Sequence, residues 1–260
     1  MDPILNEFER DMARVEKLIT LLEAVRTFHA IPLPIPPLTD AFSVKAAEIH
    51  SLATQSHPDL AVSTGTLILY VGGRFESFVR AQFEDLCERI ASKKKSFDQL
   101  PREMRNNLLK FTAEVVSNPR KYGHGDKGAE NFMRVLALNL SDKSKLESIN
   151  TQCLSVTHEN MREETFKDLF ERIGIKDIWL KIGNQAEVMT FFETADAGEA
   201  KNKATSYLNT FMNQRNNIAH PSGTVYFPDP SQVRNSVQFF LLIAQVLSKL
   251  VPVLDIQMGR

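Results

Sequence analysis

Arg215 and His220 are the residues whose types and spacing most directly suggest chemistry. They lie in the run Asn213-Gln214-Arg215-Asn216-Asn217-Ile218-Ala219-His220-Pro221-Ser222-Gly223. A guanidinium grips phosphate oxygens in a planar fork and stays charged. An imidazole takes up or releases a proton near neutrality. With a side-chain amide beside them, the two can hold a phosphodiester and move a proton at it. Asn216 and His220 are four apart and share a helix face. Arg215 is five residues from His220 and points about 140° away on an unbroken helix. The pair therefore brackets a groove, or converges where two copies of the helix meet. Each residue also has a plain structural role open to it. Arg215 can be a surface ion pair, His220 can bond a free carbonyl at a helix end, and Asn216 and Asn217 can cap and turn.

The element that carries this run is a helix over 197–217, with Ala204, Tyr207, Leu208 and Phe211 turned inward. Pro221 cannot continue it, and Gly223 suits the turn that follows. A second long helix is predicted over 64–95, with Leu67, Val71, Phe75, Phe78, Val79, Phe83, Leu86 and Ile90 as its apolar stripe. Gly72-Gly73 interrupts that stripe and marks the close approach of another helix. Glu76 on the same helix either pairs with Arg80, four residues on, or orients Arg215 or His220. A first helix over 3–29, capped by Asp2, carries Leu5, Phe8, Met12, Val15, Leu18, Ile19, Leu22 and Val25. That stripe is core or a partner surface. Four prolines between Ile31 and Pro37 make an extended connector. Further helices are predicted over 40–56, 101–117, 130–140, 143–148 and 164–173. Trp179 is expected to pack, and a last apolar helix is expected behind Asp229-Pro230-Ser231. No strand–helix alternation appears, so the fold class is all-α.

Arg215 to His220 resembles the Arg-x4-His signature of HEPN domains, and residues 67–79 resemble an earlier helix of the RiboL-PSP-like HEPN subgroup, with Glu76 at its acidic position. The resemblance covers roughly residues 60–250. It implies an all-α, HEPN-like helical bundle over 59–260, preceded by an N-terminal helical extension with the Pro-rich connector over 1–58. It also implies a metal-independent endoribonuclease without a cofactor, in a toxin–antitoxin or anti-phage defence role. Arg215, Asn216 and His220 would be the catalytic residues, with Glu76 and Asn217 in support. Partners would be an RNA substrate, a second copy in a homodimer, and an antitoxin or other defence-system protein. Some HEPN toxins carry a Tyr two residues after the His, where a partner modifies them; Ser222 stands there in this chain. The alternative is a non-catalytic HEPN-like module that binds a nucleotide or a protein, or dimerises.

Net charge is −1, so a global polycation is excluded and any RNA contact must be local. The locally basic stretch from 89 to 127 is the candidate, with Lys93, Lys94, Lys95, Arg120 and Lys121 as phosphate contacts and Tyr122 as a base-stacking ring. A solvated face is the other reading. Gly123 to Gly128 spells GxGxxG, but no strand precedes it, and Thr157-His158-Glu159-Asn160-Met161 lacks the second His of HExxH. No metal-ligand spacing is visible. Cys87 and Cys153 sit in apolar patterns and are expected to be buried thiols. Acidic residues at the start and the lack of an unbroken apolar run of membrane length point to a cytoplasmic protein without membrane contact.

Overall fold

Three long helices form the centre of the molecule: α1 (Pro3–Phe28), α3 (Leu60–Ser92) and α11 (Pro230–Gly259), each packed on the other two. The structure is a computed structural model and describes residues 2–35, 39–56, 59–141, 145–221 and 223–259. Eleven α-helices and no strand occur among the described residues, so the protein is all-α.

The apolar stripes account for the packing. All eight stripe residues of α3 are buried, as are Phe8, Met12, Val15 and Ile19 of α1. Phe8 meets Phe78 at 5.0 Å between ring centroids, and Phe240 of α11 meets Phe75 at 4.5 Å. The outer members of the α1 stripe are not core: Leu18 is 47 % exposed. Polar ties fix the register. Asp2 caps α1 by accepting from Ile4 N at 2.9 Å, and its other oxygen accepts from Ser248 of α11 at 2.5 Å and from Gln82 of α3. Arg74 of α3 pairs with Glu7 and Asp11, and Arg234 of α11 with Glu16 and Glu23.

α2 (Ala41–Ser56) packs chiefly on α1 and, among the described residues, buries one of its own, Ala53. α4 (Arg102–Ser117), α5 (Asp126–Ser141) and α6 (Thr151–Leu154) pack together beyond α3. α7 (Glu163–Glu171), α8 (Ile178–Gly183) and α9 (Ala186–Phe191) lead to α10 (Ala197–Ala219), which lies on α8 and α3. Trp179 is buried in α8, and its Nε1 donates to the Glu163 carbonyl at 3.1 Å.

Some expectations are corrected. Residues 145–148 are not helical, while α5 begins at Asp126, inside the expected glycine loop. A helix set at 143–148 therefore fails, and Lys143 itself lies outside the described residues, as do Pro36, Pro37 and Ser222. Residues 230–258 form a helix with a mean hydropathy of 1.9 over its most apolar window, long and apolar enough to cross a membrane by those criteria. Gln238, Gln245 and Lys249 break that run in the sequence and conceal its length. In this fold Val233, Val237, Phe240, Ala244, Leu247 and Val251 spend that apolarity on the core. Cys87 and Cys153 are free and buried, and burial pushes the Cys153 thiol up to about 11.

Candidate active site

The last turn of α10 delivers the central run. Ala219 is its final helical residue, and His220 leaves the helix at φ −132, ψ 72 while its N–H still bonds the Asn216 carbonyl at 2.8 Å. Gly223 then turns the chain at φ 146. Helical extrapolation, which sets Arg215 and His220 about 140° apart, therefore fails at the residue where it matters. Within one chain Arg215, Asn216, Asn217 and His220 line a single cleft of about 770 Å³. Glu76 of α3 lines it too, with Thr157, His158, Glu159, Asn160 and Arg162 from the segment before α7.

Gly72 explains how α10 comes so near α3. A Cβ there would sit 3.3 Å from Phe211 Cε1 and 3.5 Å from Arg215 Cγ. Gly72 and Glu76 are four apart on one face of α3. The missing side chain thus lets the stem of Arg215 lie across α3 one turn from Glu76. Further along, a Cβ on Gly65 would sit 2.5 Å from the Phe227 ring and 3.4 Å from Ile218 Cγ2. Both small residues hold the end of α10 against α3.

Hydrogen bonds set the polar groups. Asn216 Oδ1 accepts from Arg215 Nη1 at 3.3 Å and from Asn160 Nδ2. Two donors on one oxygen fix the amide and leave its NH₂ without a protein partner among the described residues. Glu76 Oε1 accepts from Arg80 Nη2 at 2.6 Å and from Thr157 Oγ1 at 3.3 Å, and Arg80 also donates to Thr157. Glu76 therefore joins α3 to the opposite wall. It shares the cleft with Arg215 and His220, but no hydrogen bond or ion pair joins it to either among the described residues. His220 and Asn217 are exposed at the rim, and Arg215 is half-buried.

The basic candidates divide. Lys93, Lys94 and Lys95 follow the far end of α3, about 25 Å along the helix axis from Glu76, and Lys93 is paired with Asp255 at 2.6 Å. They do not reach the cleft. The turn Pro119–Tyr122 lies closer. Tyr122 donates to Glu114 at 2.6 Å and packs on the edge of His158, a cleft residue, at 5.9 Å. The hydrogen bond from the Tyr122 hydroxyl outweighs the opposing effect of burial and holds the Glu114 carboxyl below its ordinary value; His158 Nε2 lies 3.1 Å from the same carboxylate. Arg120 is exposed, 3.8 Å from Asp126, and the Lys121 ammonium lies over the Tyr122 ring.

Sequence reasoning missed the wall from Thr157 to Arg162, weighed only as a metal motif. Among the described residues no three His, Cys, Asp or Glu side chains gather as ligands. The wall is held from behind by Arg172, whose Nη1 donates to the carbonyls of Leu154 at 2.7 Å and Val156 at 2.6 Å.

An all-α fold with a polar cleft at the broken end of one helix, holding an arginine and a histidine, defines the class. The RiboL-PSP-HEPN family model matches residues 44–252, and the chain belongs to that family. The match begins within α2 and so leaves out α1, although α1 supplies part of the core. No curated protein and no solved structure matches the chain.

Proposed function

We propose that the chain is a metal-independent endoribonuclease of the HEPN type. One observation carries the proposal: Arg215, Asn216 and His220 converge on one open cleft in a single chain. RNA brings its own nucleophile. The 2′-oxygen attacks phosphorus, a bond from 2′-oxygen to phosphorus forms, and the bond from phosphorus to the 5′-oxygen breaks. His220 takes the proton from the 2′-hydroxyl or delivers one to the departing 5′-oxygen, a contribution of about 10²–10⁴-fold. Arg215 stabilises the added negative charge on the phosphorane. The free NH₂ of Asn216 donates to a phosphate oxygen. The products are a 2′,3′-cyclic phosphate and a 5′-hydroxyl.

Pairing with a second copy is part of the same proposal. Phe42, Val44, Ile49 and Leu52 of α2 are all exposed, Phe42 by 83 %, and Leu18 and Leu21 of α1 are exposed as well. Large exposed apolar side chains on two neighbouring helices support this pairing, since such groups favour burial against a partner. A role in the cytoplasm, in toxin–antitoxin or anti-phage defence, rests on the family resemblance alone. The test is incubation of the purified chain with a mixed RNA in EDTA, with the product termini read by mass spectrometry. Cyclic phosphate ends support the nuclease; intact RNA favours the non-catalytic binding module.

A further inference from the structure

Arg162 is the other arginine lining the cleft, and its lack of a carboxylate partner among the described residues sets it apart. Among the described residues, the partly or fully buried arginines Arg74, Arg80, Arg105, Arg172 and Arg234 each pair with a carboxylate. The half-buried Arg162 and Arg215 are the two that pair with none, and both line the same cleft. Arg10, Arg26, Arg102 and Arg134 are also unpaired, but they are exposed and water serves them. Two guanidiniums taken partly out of water without counter-charges form an incomplete arrangement, because a desolvated cation gains stability from an anion. Glu76 does not supply it, being held by Arg80 and Thr157. Glu159 is exposed and solvated.

The backbone that carries Arg162 is fixed before any ligand arrives. Arg162 N donates to the Asn160 carbonyl at 2.6 Å, and the Arg162 carbonyl accepts from Phe166 N at 2.9 Å. The next residue, Glu163, donates its N–H to Asn209 Oδ1 of α10 at 3.1 Å, and its carbonyl accepts from Trp179. Met161 is fully buried between them. Asn160 reaches across to Asn216, so the wall bearing Arg162 is bonded to the helix bearing Arg215. A rigid mount of this kind suits a residue that positions a ligand.

We propose that Arg162 is a second phosphate-binding residue, so that the cleft holds two adjacent phosphodiesters of a single RNA strand, one on Arg215 and one on Arg162. This rests on the endoribonuclease proposal for the substrate class, but it is a statement about binding and does not require cleavage. Arg162 then governs strand affinity, while Arg215 and His220 govern the chemical step.

The test is binding of a short 2′-O-methyl RNA oligomer, which keeps the phosphates and lacks the nucleophile, over a series of salt concentrations. Arg162→Ala is expected to weaken binding roughly ten- to hundredfold, the worth of a charge-assisted hydrogen bond. The slope of log affinity against log salt should become shallower by about 0.7, one phosphate contact on a single strand. Arg162→Lys should restore most of the slope, and thermal unfolding should stay at the wild-type midpoint. Wild-type affinity with an unchanged slope in Arg162→Ala overturns the inference, as does a wild-type chain that binds no oligomer. Arg162-dependent binding by a chain that cleaves no RNA upholds the inference and removes the nuclease proposal.

Discussion

Replacing Arg172 with methionine should cost several kcal/mol and loosen the cleft, although no hydrogen bond or ion pair joins Arg172 to a cleft side chain among the described residues. The Arg172 side chain is 5 % exposed; its fork bonds two carbonyls and Asp168, and its plane lies 4.0 Å from the centroid of Phe111. Methionine fills similar space and bonds none of these. The buried carbonyls of Leu154 and Val156 would each lose a charged donor, at roughly 1–3 kcal/mol apiece. Loss of the contact with Phe111 adds roughly 0.5–1 kcal/mol. Asp168 is 62 % exposed, so its pair adds little after solvent screening. The total is about 2.5–7 kcal/mol, a large part of the roughly 5–15 kcal/mol that holds a typical domain together. Urea unfolding measures it as a lower midpoint at constant slope. Arg172→Lys should recover about half, since an ammonium lacks the fork. A loss below about 1 kcal/mol for Arg172→Met would refute the account of how the wall from Thr157 to Arg162 is held.

Two further outcomes are expected from the same physics. Burial, aided by the charge of Glu88 and opposed by a hydrogen bond from Ser155, holds the Glu84 carboxyl above its ordinary value of 4.5. The native state therefore binds that proton more tightly than the unfolded chain, and stability from this group is lost as pH rises through the folded value. Glu84→Gln should gain thermal stability over wild type above pH 4.5 and show no gain below it; parallel melting curves at all pH values would contradict this. A Cβ on Gly183 would lie 2.6 Å from the Ala197 carbonyl oxygen and 3.0 Å from Lys201 N, both backbone atoms of α10. Gly183→Ala should cost about 1–3 kcal/mol by forcing α8 from α10, and an unchanged melting midpoint would show that the contact is slack.

Much of this architecture is written in local periodicity. The stripes of α1, α3, α10 and α11 read directly because each helix buries one face, and Gly72 marked a close helix approach that the structure places at Phe211 and Arg215. The same run that ends α10 supplies the cleft's polar residues. What the sequence hid was long-range. The wall from Thr157 to Arg162 is irregular, so it has no period, and it is placed by bonds to Arg172, Asn209 and Asn216 that no spacing encodes. The basic stretch is not gathered at the cleft, for a related reason. Lys93 to Lys95 and Arg120 are near one another in sequence, yet a long helix carries the lysines away from the cleft, and Lys93 is taken up by Asp255 at the end of α11.

The most direct test of the central claim is single-turnover cleavage of one defined RNA by wild type, Arg215→Ala and His220→Ala at matched thermal stability. His220 is exposed and outside the helix, so its removal leaves the fold intact. The account predicts that each substitution slows cleavage by at least about 10²-fold. Cleavage at the wild-type rate by either variant would contradict it.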